Sequence, residues 1–103
     1  MSQFDFQKEV LEEKGPVLAE FWAPWCGYCR RLAPAVERLE EELSGKVKIA
    51  RINIDEEPEL AGKYEVDTIP TLILFHGGKA SAPFVNPPSQ AAIADWLSEN
   101  KAL

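Results

Sequence analysis

The chain has 103 residues, which is enough for one ordinary domain and too few for two. Hydrophobic residues make up 46% and charged residues 27%, a balance typical of a folded globular domain rather than of a disordered segment. The net charge of −6 argues against binding to nucleic acid, which requires a basic face, and against binding to an anionic membrane surface. We therefore expect a single domain over residues 1–103.

The apolar pattern predicts four helices and four strands. Residues 4–13 are expected to form a short helix that ends at Gly15-Pro16, and residues 17–22 a strand covered on both faces. A turn over residues 23–29 leads into a long helix that closes at Ser44-Gly45, followed by a strand over 47–53 and a short helix over 57–64. The last elements are a strand over 71–75, a glycine turn over 76–79, a return strand over 82–85 and a helix over 89–100.

The order of these elements indicates the fold class. Strands that alternate with helices predict an α/β domain with a parallel sheet and helices on both faces. The final hairpin adds an antiparallel edge, so the sheet is expected to be mixed.

The N-terminal segment Met1–Lys8 does not resemble a signal peptide, because it has no basic stretch followed by an apolar one. No apolar run approaches the roughly 20 residues of a membrane-spanning helix. We therefore expect a cytoplasmic protein without membrane contact, although a leader removed earlier would leave no trace in this chain.

The two cysteines, Cys26 and Cys29, stand three positions apart. A disulfide over so short a loop restrains the unfolded chain little, so the pair points to chemistry rather than to stability. Cys26 directly precedes a predicted helix, where free N–H groups and the helix dipole favour the nucleophilic thiolate. Cys29 lies one turn further on and can attack a mixed disulfide formed at Cys26. Gly27 and Tyr28 hold the two sulfurs at that separation.

Two other interpretations of the pair remain open on these grounds. One is a pair of inert core cysteines, since cysteine is often buried. The other is a metal bridged between two chains, because zinc takes about four ligands and the only histidine, His76, belongs to a separate turn. Within one chain, neither a metal nor another cofactor is expected.

The segment from Trp22 to Cys29, with the sequence Trp-Ala-Pro-Trp-Cys-Gly-Tyr-Cys, resembles the active-site segment of the thioredoxin family. Further matches follow in the family's order along nearly the whole chain: Phe21, Pro34, Asn53-Ile54-Asp55, Tyr64, Ile69-Pro70-Thr71 and the turn over residues 75–78. The resemblance implies a thioredoxin-like fold, with a central mixed sheet of four or five strands flanked by about four helices. It also implies a monomeric thiol–disulfide oxidoreductase that reduces or exchanges disulfides in client proteins and receives electrons from a thioredoxin reductase.

The resemblance also assigns roles to individual residues. It makes Cys26 the exposed nucleophile and Cys29 the buried resolving thiol. Pro70 resembles the family's cis-proline that faces the cysteines, whereas the chain alone would suggest an ordinary turn proline. The backbone of Ile69 is then expected to pair with an extended client segment, like an added strand.

Glu20 is an acid within the apolar run of residues 17–22. A carboxyl buried there is expected to have a raised pKa. The family usually has an aspartate here that accepts the proton of the resolving thiol, so the resemblance gives that role to Glu20. The alternative is a glutamate at the strand end that reaches solvent. Arg51, where the family commonly has lysine, keeps a positive charge near it.

The chain departs from the family in three further places. Tyr28 replaces the proline that most members have between the cysteines, and its N–H is expected to donate to the Cys26 thiolate. The family's first strand is expected to be shortened or absent. A loop with the sequence Val-Asn-Pro-Pro over residues 85–88 replaces a glycine-containing one. That loop, which includes Asn86, is expected to form an apolar docking rim around Cys26 with Trp25 and Ile69.

Three functions are compatible with the sequence. The leading one is a thioredoxin-type reductase of protein disulfides. The second is a more oxidising exchanger or isomerase, which tyrosine between the cysteines permits. The third is a protein-docking module with little turnover, against which the intact cysteine pair argues.

Overall fold

The computed structural model describes residues 4–103, and the structural statements below refer to that part of the chain. The expectation about a leader rests in part on Met1 to Gln3, which lie outside the described residues. The elements are an N-terminal π-helical turn (Gln7–Leu11), β1 (Val17–Trp22), α1 (Gly27–Glu42), β2 (Lys48–Asn53), α2 (Pro58–Lys63), β3 (Thr71–His76), β4 (Lys79–Ala80), β5 (Phe84–Val85) and α3 (Gln90–Glu99). No helix of the described segment is long and apolar enough to cross a bilayer.

The helix expected over residues 4–13 is reduced to the five-residue N-terminal turn. The N–H of Glu12 donates to the carbonyl of Gln7, five residues back, at 2.9 Å, which gives the wide π-type turn. So short a helix has little cooperative stability of its own, and its stability comes from packing through Val10, which is 2% exposed. Between residue 4 and β1 the structure has no strand, as the sequence predicts.

The sheet has the order β2-β1-β3-β4, and β5 also pairs with β3. β1 and β2 are parallel, whereas β3 is antiparallel to β1. The expectation that antiparallel pairing is confined to the final hairpin is therefore wrong. The six residues of α2 span about 9 Å, too little to carry the chain back along the sheet. The chain consequently enters β3 beside the end of β1 and runs in the opposite direction.

The turn after β3 is a two-residue hairpin loop. Gly77 and Gly78 have φ angles of 61° and 80°, which residues with a Cβ rarely adopt. The return strand expected over residues 82–85 is split into β4 and β5. The facing ends of these two strands, Ala80 and Phe84, lie four residue steps apart, whereas their partners on β3, Phe75 and Leu72, lie three steps apart. The return side thus carries one extra residue, which is a β-bulge.

Side-chain chemistry accounts for the break between β4 and β5. The backbone N–H of Ser81 donates to the Leu74 carbonyl at 2.8 Å, and the Leu74 N–H donates to Ser81 Oγ at 3.0 Å. A hydroxyl therefore replaces a backbone carbonyl at this position of the ladder. Pro83, which follows, has no N–H to continue the ladder.

Two apolar layers cover the sheet. On one face, α1 and α3 contribute the buried side chains Leu32, Val36, Leu39, Leu43, Ile93 and Leu97. On the other face, Phe75 is 1% exposed and meets Phe6 and Tyr64 edge-on, with ring centroids 5.5 and 5.2 Å away. Trp22 and Trp96 are half-buried, and Trp96 packs on Phe84. The protein is thus an α/β domain with a mixed five-stranded sheet and helices on both faces.

Candidate active site

The two cysteines lie where β1 passes into α1. Cys26 is the N-cap of α1, and its Sγ accepts the backbone N–H of Cys29 at 3.1 Å. The two residues are joined by a disulfide, with Cα atoms 5.2 Å apart. Cys26 is 6% exposed and Cys29 1%, so both are buried and the expected difference in exposure is small. The expected helix N-terminal position of Cys26 is confirmed.

The Ile69–Pro70 segment faces the cysteine pair. The peptide bond between these residues is cis, as the resemblance implies. The Ile69 carbonyl oxygen lies 3.8 Å from Cys26 Sγ. The Pro70 carbonyl accepts the backbone N–H of Asn86 at 2.8 Å, which attaches the loop over residues 85–88 to the cysteine site. Proline and isoleucine thus lie in the expected places, facing Cys26.

An exposed rim surrounds the disulfide. Trp25 is 64% exposed, and its Nε1–H donates to the Asp55 carboxylate at 3.0 Å. Val85 is 47% exposed, and Ile69 is half-buried. Isolated apolar side chains are common on protein surfaces, and the docking role expected for this group beside Cys26 stays a prediction. The sequence does not predict the hydrogen bond that orients Trp25, because Asp55 stands out there only as part of a family match.

Tyr28 is 56% exposed and lies on the solvent side of α1. The Arg31 guanidinium lies over its ring, 4.7 Å from the centroid. In this disulfide form the donor to Cys26 Sγ is the N–H of Cys29. The expectation for the Tyr28 N–H concerns the Cys26 thiolate and stays a prediction. Gly27, between Cys26 and Tyr28, is the first residue of α1 and is exposed.

A groove of about 290 Å³ borders the tyrosine. It is lined by Tyr28, Arg31, Leu32, Asn86, Pro87 and Pro88. Asn86 has a φ of 49°, in the left-handed region that asparagine tolerates better than most residues. Its backbone bond to Pro70 fixes one side of this groove, and the first two turns of α1 fix the other.

Glu20 is fully buried in the middle of β1, with 0% exposure. The alternative of a solvent-reaching glutamate is therefore wrong. Desolvation by burial raises the pKa of Glu20 above its ordinary value of 4.5, and the nearby Arg51 charge opposes that rise. Arg51 Nε donates to Glu20 Oε1 at 3.0 Å, so the hydrogen bond of this carboxyl goes to Arg51 rather than to Cys29. Within residues 4–103, Glu20 Oε2 has no hydrogen-bond partner.

Arg51 makes a second contact that the sequence did not reveal. Its guanidinium lies over the Trp22 ring, 4.9 Å from the centroid. Glu20 and Arg51 are direct neighbours across the parallel β1–β2 pair, as are Trp22 and Asn53 two residues further on. Strand register, combined with the period of two, is the signal that could have placed Glu20, Arg51 and Trp22 together.

Comparison with known proteins agrees with this geometry. The sequence model of the thioredoxin family matches residues 1–99. The chain is 47% identical over 95 residues to thioredoxin 1 of a Nostoc species, covering 92% of this chain and 89% of that protein. It is 40% identical over 95 residues to a thioredoxin of Rickettsia felis, with coverage of 92% and 90%. It is 39% identical over 99 residues to a thioredoxin of a Synechocystis species, with coverage of 96% and 92%. With a disulfide-forming Cys26–Cys29 pair at the start of α1, the chain belongs to the thioredoxin family of protein-disulfide oxidoreductases.

Proposed function

We propose that this protein acts as a reductase of client disulfides, with Cys26 as the attacking thiol and Cys29 as the resolving one. The observation that carries the proposal is the position of Cys26 at the N-cap of α1, where its sulfur accepts the Cys29 N–H at 3.1 Å. A thiolate at that point is stabilised by a charge-assisted hydrogen bond and by the helix dipole. Cys29 lies within the helix and is 1% exposed, so a client disulfide reaches Cys26 first.

The reaction consists of two exchange steps. The Cys26 thiolate attacks one sulfur of the client disulfide, forming a mixed disulfide and releasing the other client sulfur as a thiolate, which takes a proton from solvent. Cys29 then loses its proton and attacks Cys26 Sγ, which releases the second client thiolate. Two electrons pass to the client, and the protein ends with the Cys26–Cys29 disulfide. A second reductant must restore the dithiol, and we assign this step to a thioredoxin reductase.

Glu20 is proposed as the acceptor of the Cys29 proton. Its burial and its raised pKa support this role, because a base with a pKa closer to that of a thiol accepts a thiol proton more readily. Glu20→Gln keeps the shape of the side chain and removes the base. We expect normal formation of the mixed disulfide and slower release of the client. Acid quench at successive times within a single turnover measures how the mixed disulfide forms and decays. Unchanged release would remove Glu20 from the mechanism.

The Ile69 backbone and the exposed rim are proposed to hold the client chain. An extended segment that pairs with the backbone beside cis-Pro70 brings its disulfide next to Cys26 Sγ, which lies 3.8 Å from the Ile69 carbonyl. Trp25 and Val85 then cover the apolar side chains of the client. This form of binding depends mainly on main-chain contacts and tolerates many client sequences.

The division of labour between the two thiols is tested by single substitutions. Cys26→Ser should abolish the acceleration by this protein of insulin reduction by dithiothreitol. Cys29→Ser should instead accumulate a mixed disulfide with the client, because the first attack survives and the resolution fails. Alkylation of the reduced protein near neutral pH should label Cys26 before Cys29, and the reverse order would exchange the two roles.

The direction of exchange and the electron donor need a further measurement. A reductase should sustain insulin reduction with thioredoxin reductase and NADPH as well as with dithiothreitol. A more oxidising exchanger, which the exposed tyrosine between the cysteines permits, should accept dithiothreitol but yield little net reduction from NADPH. A docking module should support insulin reduction neither with dithiothreitol nor with thioredoxin reductase and NADPH. We also propose a cytoplasmic monomer, for which sedimentation at the concentration of the assay and cell fractionation are the tests.

A further inference from the structure

The charge of the chain is unevenly distributed along α1. The protein carries a net charge of −6, and the distal half of the helix is rich in glutamate: Glu37, Glu40, Glu41 and Glu42. The first turn of α1, by contrast, contains no acidic residue. Arg30 and Arg31 follow the cysteine pair directly. The redox end of α1 is therefore cationic on a protein that is acidic as a whole.

The two arginines differ in what they contact. Arg30 donates from Nη1 to the Pro24 carbonyl at 2.9 Å and so helps to hold the active-site turn. Arg31 stacks over the Tyr28 ring and lines the groove against Asn86, Pro87 and Pro88. Among residues 4–103, ion pairs within 4.0 Å form at Lys48 and Arg51, and Arg31 has no carboxylate partner. The groove beside the disulfide thus holds an oriented cation whose hydrogen-bonding groups are free.

We propose that the groove between Tyr28 and Pro88 binds an acidic side chain of the client polypeptide, with Arg31 as its partner. The proposal rests on the reductase function above and adds a preference for client disulfides that have an aspartate or glutamate close by in sequence. Arg31 determines specificity and takes no part in the chemistry.

Three features favour a polypeptide as the occupant. Val85, which directly precedes the groove residue Asn86, is 47% exposed, and its apolar surface favours a polypeptide chain over a free anion as a partner. The loop that forms one wall is bonded to Pro70, which lies beside the expected backbone-pairing site at Ile69. Pro87 and Pro88 contribute no N–H groups, so polar recognition in the groove falls to Arg31 on the α1 wall and Asn86 on the loop wall.

The test compares matched peptide substrates on the full chain. Each peptide carries one cysteine activated as a neutral 2-thiopyridyl disulfide, with a single glutamate placed at one of three positions on either side. A glutamine peptide serves as the reference at each position. Release of 2-thiopyridone gives the rate constant of the first attack by the reduced protein. At the favoured position we expect the glutamate peptide to react about 2–5-fold faster, the range of a solvent-accessible ion pair.

Arg31→Gln should bring this ratio to about 1. Both peptides are compared on the same variant, so a general change in reactivity of the variant cancels in the ratio. Arg38→Gln is the matched control. Arg38 stands seven residues, about 10 Å, further along the same face of α1, and its Nε donates to Gln90 Oε1 at 2.8 Å. This variant loses the same charge and should keep the ratio. The ratio should also fall as salt is added, because the groove is open to solvent.

Three results would overturn the proposal. A ratio of 1 at every position in the unsubstituted protein, with normal reaction of the glutamine peptides, removes the acidic preference and leaves the reductase function intact. A ratio that survives Arg31→Gln, or that is lost equally in Arg38→Gln, assigns the effect to the general field of the protein. Failure of all peptides to react contradicts the reductase function itself, and the preference falls with it.

Discussion

At the scale of single residues, the site depends on which backbone N–H groups reach Cys26. An N-cap side chain accepts from the second or third N–H of its helix. In the disulfide form the third donor, Cys29, makes this bond at 3.1 Å. The second is Tyr28, whose N–H has no helical carbonyl four residues back. A thiolate formed on reduction accepts more hydrogen bonds than a disulfide sulfur does, so the Tyr28 N–H becomes useful in the reduced state.

Tyr28→Pro tests this argument, because proline removes that N–H and leaves the Cys29 donor in place. We expect the variant to be more reducing and the pKa of Cys26 to be higher. One charge-assisted hydrogen bond contributes about 1.5–3 kcal/mol. For a two-electron couple this corresponds to a shift of up to about 30–60 mV. Equilibration with glutathione and titration of the thiolate give the two quantities.

Tyr28→Phe serves as the control for that experiment, since it keeps both the N–H and the ring over which Arg31 lies. It should leave the potential unchanged within error. A potential of Tyr28→Pro that stays constant or becomes more oxidising would show that the second N–H of α1 does not stabilise the reduced form.

At the scale of elements, the bulge between β4 and β5 sets the position of β5 and of the groove loop that follows it. The extra residue on the return side lets β5 resume pairing with β3 at Thr71 and Leu72, next to Pro70. Ser81 Oγ makes this possible because it accepts the Leu74 N–H, which would donate to a backbone carbonyl in a regular ladder. The position of the groove loop therefore depends on a hydroxyl in a short edge segment.

Ser81→Ala should lower the free energy of unfolding by about 1–3 kcal/mol, because it leaves the N–H of the buried Leu74 without its acceptor. Denaturation by urea measures this value. Ser98→Ala, on the exposed side of α3, is the comparison and should be neutral or slightly stabilising, since alanine favours a helix. Equal effects of the two substitutions would mean that water replaces Ser81 Oγ without loss.

At the scale of the whole molecule, one buried acid links stability to pH. Burial raises the pKa of Glu20, so the folded protein holds this proton more tightly than the unfolded chain does. The carboxyl therefore favours folding below its ordinary pKa of 4.5, and that contribution is lost as the pH rises through the folded-state pKa. Above the folded-state pKa the ionised group opposes folding, and Arg51 offsets only part of this effect.

Glu20→Leu should consequently stabilise the protein at about pH 8, by less than the roughly 1–4 kcal/mol found when both members of a buried ion pair are replaced by apolar residues, because Arg51 keeps its charge. The Arg51 side chain, which is 33% exposed, can then turn to solvent. The gain should shrink as the pH approaches 4.5, because the glutamate of the unsubstituted protein becomes neutral. Unfolding free energies of the variant and of the unsubstituted protein across this pH range measure the gain, and a gain independent of pH would contradict the raised pKa of Glu20.

Much of the fold was predictable because local signals agreed with the tertiary structure. Apolar runs and glycine turns placed β1, α1, β3 and α3 within a few residues. The cysteine pair and its helix N-terminal position followed from spacing alone. The N-terminal helix was overextended because its stability depends on packing onto the sheet. The sequence predicts a continuous return strand, because periodicity does not detect a bulge that depends on one serine hydroxyl and one proline.

By itself the sequence determined the elements, the reactive pair, the family resemblance and the presence of an acid in an apolar strand. These properties depend on residues close in the chain, whose periodicity, capping and spacing are local. Only the tertiary structure decided that β3 runs antiparallel to β1, that Glu20 is fully buried against Arg51, and that Arg31 lies over Tyr28 in a groove beside the disulfide. Each of these features joins residues from distant segments, and their distances and solvent exposure exist only once the chain has packed.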